Sequence, residues 1–285
     1  MSTRAFTEGL TVQTADIARP RARAGSIARR WLPPLLVLLI VIALWSLLAI
    51  TVYGNQNYLV PRPWNVAAAA WNNRGELWAA TLVTLGEAAA GFGIAIAAGI
   101  AFAVLMSQSK VIERSLYPYA VLLQTVPIVA VAPIIVLWFG YSRRAVIVIV
   151  VLITVFPILI STLLGLLSTD RNHRDLFRLH HASRPREFLK LRLPAALPNL
   201  FAGIRVSAGL AVVGAIVGEF IIGSGGSQGG LGVNVILAQG RLDTNMLFAD
   251  VGAATLLGFL FFLVATLVQT IFLKNWHESA LRPDA

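Results

Sequence analysis

The chain has 285 residues, a net charge of +10, 57% apolar residues, 13% charged residues and a mean hydropathy of +0.76. A soluble domain carries about 25% charged residues, so this composition excludes one and points to an all-α membrane protein. With no cysteine, a disulfide framework, a thiolate metal site and a cysteine nucleophile are excluded. The cations flank apolar segments, as the positive-inside rule describes, so the lipid bilayer rather than nucleic acid is the expected partner of the charge.

In chain order, residues 1–30 read as a disordered basic cytoplasmic tail. Its six arginines set topology or add attraction to a lipid surface. Residues 31–76 read as a first transmembrane helix, apolar to about Val52, followed by an external loop. That apolar run is too long for the core of a signal peptide. Residues 77–274 form the core and 275–285 a cytoplasmic tail. Within the core, Leu77–Ser109 carries only Glu87, while Ser115–Ser142 and Ala145–Thr169 carry no charge. Asn199–Gly223 carries Arg205 and Glu219, and Val251–Leu273 carries none. These intervals predict six transmembrane helices in all. Small residues over Ala88–Gly93 and Ala95–Gly99 predict close helix packing. Glu87 is expected to pair with Arg205 or to face the cytosol.

With the N-terminus inside, inside segments hold 17 lysines and arginines against 5 outside, leaving Arg205 uncounted. The expected topology therefore has both termini cytoplasmic. Arg143 and Arg144 fall on the outside, against the trend.

The loop at 170–194 is the one extended polar segment of the core, with six arginines and one lysine between Arg171 and Arg192. Thr169 or Asp170 can cap a first short helix, and a turn follows at His181-Ala182-Ser183. Ser183 can cap a second helix with Pro185 in its first turn. Phe188, Leu189, Leu191 and Leu193 give that helix an apolar side, and Pro194 and Pro198 are expected to end or kink it before the fifth span.

Here the residues carry a resemblance. Leu191-Arg-Leu193-Pro194-Ala-Ala-Leu-Pro198, followed by Phe201-Ala-Gly203-Ile-Arg205-Val206, resembles the end of the EAA loop of binding-protein-dependent ABC importer permeases, roughly E-A-A-x3-G-x9-I-x-L-P. Leu191 then takes the isoleucine position, His181 the glycine, and Asp175-Leu176-Phe177 the EAA triplet. Only the acid of the triplet is kept. Histidine tolerates left-handed backbone better than most residues, so His181 is expected to hold the turn. Leu77–Leu85, Ala132–Gly140, Tyr58–Pro63, and Gly218-Glu219-Phe-Ile with Gly230-Leu-Gly232 are similar to the nitrate, sulfonate and taurine branch. Gln124-Thr-Val-Pro127 leans towards the members that import thiamine-precursor pyrimidines or riboflavin.

The resemblance implies a type I ABC importer permease fold with cytoplasmic coupling helices in a prokaryotic inner membrane. It implies ABC ATPase subunits docked on 170–194, an extracytoplasmic solute-binding protein, and a second permease copy. The implied coupling residues are Asp175, Phe177, His181, Ala182, Ser183, Leu191, Leu193 and Pro194. Those implied for the translocation path or gate are Gln124, Pro127, Trp138 and Glu219. Glu219 reads equally as a helix-end carboxylate bonded to backbone. The glycine run Gly223–Gly232 is expected as a non-helical loop dipping into the bundle. His173, His180 and His181 are too poorly spaced for a metal site. The chain has no phosphate-cradling G-x4-G-K-[ST] loop, so no cofactor is expected on it, and ATP would be hydrolysed on a partner chain. The other reading is a stand-alone secondary transporter or channel, which predicts an internal repeat with midplane charges; no repeat is visible.

Overall fold

A computed structural model describes residues 25–51, 59–223 and 229–274. Residues 1–24, 52–58, 224–228 and 275–285 lie outside the described residues, and with them the expected tails and part of the expected external loop. The first helix, α1, runs Gly25–Thr51, starting six residues before the expected boundary, and its spanning part is Leu32–Thr51. A short α2 (Pro63–Asn72) leads into α3 (Arg74–Ser107). Then come α4 (Lys110–Thr125), α5 (Ile128–Phe139) and α6 (Arg143–Leu167). The basic loop supplies α7 (Arg171–Leu179) and α8 (Arg184–Glu187). Beyond it lie α9 (Leu193–Ile222), α10 (Leu231–Gly240) and α11 (Thr244–Leu273).

Among the described residues, five helices are long and apolar enough to cross a membrane, and a sixth crossing is the bent pair α4–α5. The third span is therefore not one helix. It turns by 96° at Val126-Pro127, because Pro127 has no N–H to continue the ladder and disfavours helical backbone in the residue before it. Val126 is accordingly extended, at φ −67° and ψ 123°.

The centre of the bundle is α3, α6 and α9. Between apolar helices in lipid there is little hydrophobic driving force, so packing depends on close approach through small residues. On α3, Gly91, Ala95, Gly99 and Ala103 are all buried at four-residue spacing. A Cβ at Gly91 would stand 2.6 Å from Val150 Cγ1, and one at Gly99 would stand 2.9 Å from Ile158 Cγ2. On α9, Gly203, Ser207, Ala211, Gly214 and Gly218 face α6 in the same way. The Ser207 hydroxyl donates to the Thr154 carbonyl at 2.9 Å, joining α9 to α6. α1 stays on the periphery, with its aliphatic side chains exposed and Trp45 stacked on Phe248 of α11.

Gly91→Val should destabilise the bundle by about 1–3 kcal/mol, the usual range for overpacking. Gly93→Ala, where a Cβ meets nothing within 4 Å, should be close to neutral. Thermal unfolding of the detergent-purified chain checks both. An unchanged midpoint for Gly91→Val would contradict the packing argument.

Candidate functional site

Three irregular places in the helical scaffold hold the predicted site residues. The first is the basic hairpin. Asp170 caps α7, its Oδ1 accepting from Asn172 N at 3.0 Å. Thr169, the other candidate cap, has its hydroxyl buried without a partner. α7 ends as foreseen. His181 is left-handed at φ 50°, and Ala182 N donates to the Phe177 carbonyl at 3.0 Å. That five-residue bond around a left-handed residue is a Schellman closure. Ser183 occupies the N-cap position of α8, with extended backbone, and Glu187 N donates to its carbonyl at 3.0 Å; the Ser183 hydroxyl itself caps nothing. Asp175 is exposed on α7 and Phe177 is half-buried.

The expected stop at Pro194 does not occur. Residues Phe188–Arg192 form a π-helical turn, with Leu193 N donating to the Phe188 carbonyl, and 184–222 run on as one rod. Pro194 falls in the first turn of α9, where its missing N–H matters little, and the wider π turn accommodates its ring. The added residue in the turn also rotates the apolar side. Phe188, Leu191 and Leu193 are half-buried, but Leu189 is exposed.

Arg192, which sequence reasoning counted only as a cation, ties the hairpin to the bundle. Its Nη2 donates to the Ser107 carbonyl at 2.9 Å and its Nε to the Leu166 carbonyl at 3.3 Å. These are the carbonyl ends of α3 and α6, groups without helical partners. A cation directly before the L-P pair is the only sequence signal for this contact.

The second place is a buried polar junction. Glu219, 3% exposed at the end of α9, accepts from Thr84 Oγ1 at 2.7 Å and from Gly232 N at 2.6 Å. Leu231 N donates to Thr84 Oγ1 at 2.9 Å. Two side chains thus satisfy the first N–H groups of α10, with the carboxylate at the positive end of the helix. The backbone-bonded reading of Glu219 holds. From Leu231 onward the glycine-rich segment is helical rather than irregular, while 224–228 lie outside the described residues. Glu87 pairs with Arg143 at 3.2 Å, not with Arg205. Arg205 lies instead against the Phe262 ring, 6.0 Å from its centroid. Glu87 and Glu219 line the same small cavity of about 20 Å³, room for a single water.

The third place is the α4–α5 break. Gln124 and Val126 line a cavity there, and Pro127 makes the bend. Trp138 is 72% exposed near the other end of α5, so the path candidates Gln124, Pro127, Trp138 and Glu219 do not gather at one site.

The description "binding-protein-dependent transport system inner membrane component" matches residues 91–278. The chain belongs to that family. A probable ABC transporter permease of Haemophilus influenzae is 37% identical over 77% of this chain and 88% of its own. The formylaminopyrimidine transport permease of Halalkalibacterium halodurans is 35% identical over 87% and 96%. The riboflavin transport system permease of Chloroflexus aurantiacus is 31% identical over 94% and 99%. The fold is similar to a crystal structure of an amino acid ABC transporter with histidines. The TM-score is 0.56 at 15% identity, covering 72% of this chain and 96% of that one. The chain is thus an all-helical transport permease of the ABC importer type.

Arg192→Ala in this permease removes two charge-assisted hydrogen bonds, each worth about 1.5–3 kcal/mol. Hydrogen exchange in 171–192 should rise while α3, α6 and α9 stay protected. Unchanged exchange in the hairpin would show that Arg192 does not hold it.

Proposed function

We propose that this permease is the membrane subunit of an ATP-driven importer. A separate ATPase docks on the 170–194 hairpin, and an extracytoplasmic binding protein delivers the solute. The observation that carries this reading is the hairpin itself. It is a short helical turn closed by His181, exposed on one side, continuous with α9 and bonded by Arg192 to the ends of α3 and α6. Displacement of such a hairpin is transmitted to three packed spans at once, because packed helices shift as units rather than deform locally. Asp175, Phe177, His181, Ala182 and Ser183 form its outer part, and Leu191, Leu193 and Pro194 its root.

In this reading six crossings place both termini in the cytoplasm, as the cation distribution supports. Two copies related by a two-fold axis form the pathway, each with its own ATPase. The exposed aliphatic faces of α4, α5 and α11 leave room for a second copy as well as for lipid. Relatives named for formylaminopyrimidine, riboflavin, aliphatic sulfonates and nitrate mark the range of small solutes.

The chain has no cysteine, so single cysteines report cleanly. Leu242→Cys, 77% exposed between α10 and α11, should react with an impermeant thiol reagent in intact cells. Ser183→Cys should react only in inverted membranes, and the co-expressed ATPase should shield it there. Reaction of Ser183→Cys in intact cells, or no shielding by the ATPase, would overturn the reading.

A further inference from the structure

The corner where α10 meets α11 holds an acid that the importer reading leaves unused. Asp250, in the second turn of α11, is fully buried, and neither of its carboxylate oxygens has a hydrogen-bond partner. A buried carboxylate without a donor is costly to keep, so an ionisable side chain in a spanning helix marks a functional site by default. Asp250 lines a cavity of about 90 Å³. Asn234 of α10 lines it too, and its amide nitrogen is likewise buried and unpartnered. Glu76, Asp243 and Arg241 complete the charged lining.

The balance of charge favours a cation, since three carboxylates and one guanidinium line the space. Asp243 is partly satisfied, because its Oδ1 accepts from Met246 N at 3.2 Å as the cap of α11. Glu76 and Arg241 are exposed, at the start of α3 and the end of α10. Arg241 leaves both Asp250 oxygens without a partner, so the buried acid has no internal counter-ion. A metal ion does not fit the arrangement: among the described residues no three acids or histidines are grouped to hold one. A whole solute does not fit either, because small-molecule sites measure about 300–1,000 Å³. The space suits the head of one charged side chain whose owner stays outside. Position says which owner. Glu76 lies in the first turn of α3, and Ser107, whose carbonyl takes the hairpin's Arg192, ends that helix. The 34 residues of α3 span about 50 Å. The cavity is therefore at the end of the bundle opposite the hairpin, the end left to a binding protein once an ATPase occupies the hairpin.

We propose that this cavity receives a lysine or arginine side chain of the extracytoplasmic binding protein, with Asp250 as its counter-ion. Asp250 supplies the charge, and the Asn234 amide supplies a neutral acceptor for a head that carries several N–H donors. Glu76 and Asp243 add negative potential that draws the cation in and sets the register of docking. The contact joins three helices, because Glu76, Asn234 and Asp250 belong to α3, α10 and α11. The proposal rests on the importer reading for the identity of the partner, and adds to it the place and the chemistry of docking.

Titration of the fluorescently labelled binding protein onto the permease and its ATPase in lipid nanodiscs supplies the test. Asp250→Asn keeps the size of the side chain and removes its charge. It should weaken binding about tenfold to hundredfold, the loss expected of one charge-assisted hydrogen bond. The thermal midpoint of the same variant should hold or rise, because an unpartnered buried charge has been removed. Arg241→Gln should tighten binding, since a cation in the lining repels the incoming one. Binding indifferent to Asp250→Asn, or binding weakened by Arg241→Gln, would overturn the proposal. So would a midpoint lowered by Asp250→Asn, which would mark a water-bonded structural acid. In each of these cases the wild-type chain still captures the binding protein, and the importer reading stands. A wild-type chain that captures no binding protein would overturn that reading and the proposal with it.

Discussion

Backbone N–H and C=O groups left open where a helix ends need partners, most of all at membrane depth, and the departures from helix among the described residues turn on that constraint. Where α10 begins, Thr84 and Glu219 accept its first N–H groups. Where α3 and α6 end, Arg192 donates to their carbonyls. Where α7 ends, the left-handed His181 lets Ala182 N close back on Phe177. At Val126-Pro127 the groups are left over, and there the structure has a cavity instead of packing. The regular parts are held by a different device. Small residues bring α3, α6 and α9 into near backbone contact, so the bundle can move as one body.

These two devices divide the labour of the permease. The small-residue seam makes α3, α6 and α9 a rigid unit. The π turn and Arg192 attach the basic hairpin to that unit by covalent continuity and by hydrogen bonds to two helix ends. A force on the hairpin therefore reaches the spans without passing through a flexible joint. Glu219 fastens α10, and with it the α10–α11 corner, to the far end of the same α9 that the hairpin enters. One rod thus connects the two faces of the molecule.

Much of this was legible in sequence because local chemistry decided it. Charge-free intervals located the spans, and the small residues over 88–99 marked the seam. The L-P pair with its fixed distance to His181 located the turn, which tolerates histidine because left-handed backbone is accessible to it. What was hidden depended on contacts distant in sequence. Glu87 meets Arg143 rather than Arg205 because α6 starts beside the middle of α3, a fact of packing. The broken third span was hidden by its own lack of charge, since an uninterrupted apolar window says nothing of the bend that Pro127 imposes. Pro194 misled in the opposite direction. Its ring implied a stop, and a π turn upstream absorbed it, which also exposed Leu189. Arg192 showed only as one more cation because its acceptors are carbonyls, which carry no sequence signal.

The central claim is that this chain moves solute only when a nucleotide-hydrolysing partner sits on its basic hairpin. Uptake by membrane vesicles tests it most directly, comparing the chain alone with the chain joined to its ATPase and binding protein, each with and without hydrolysable ATP on the hairpin side. The account predicts accumulation solely in the full assembly with ATP. Accumulation by the chain alone, or by the assembly without hydrolysis, would contradict it and leave a secondary transporter in its place.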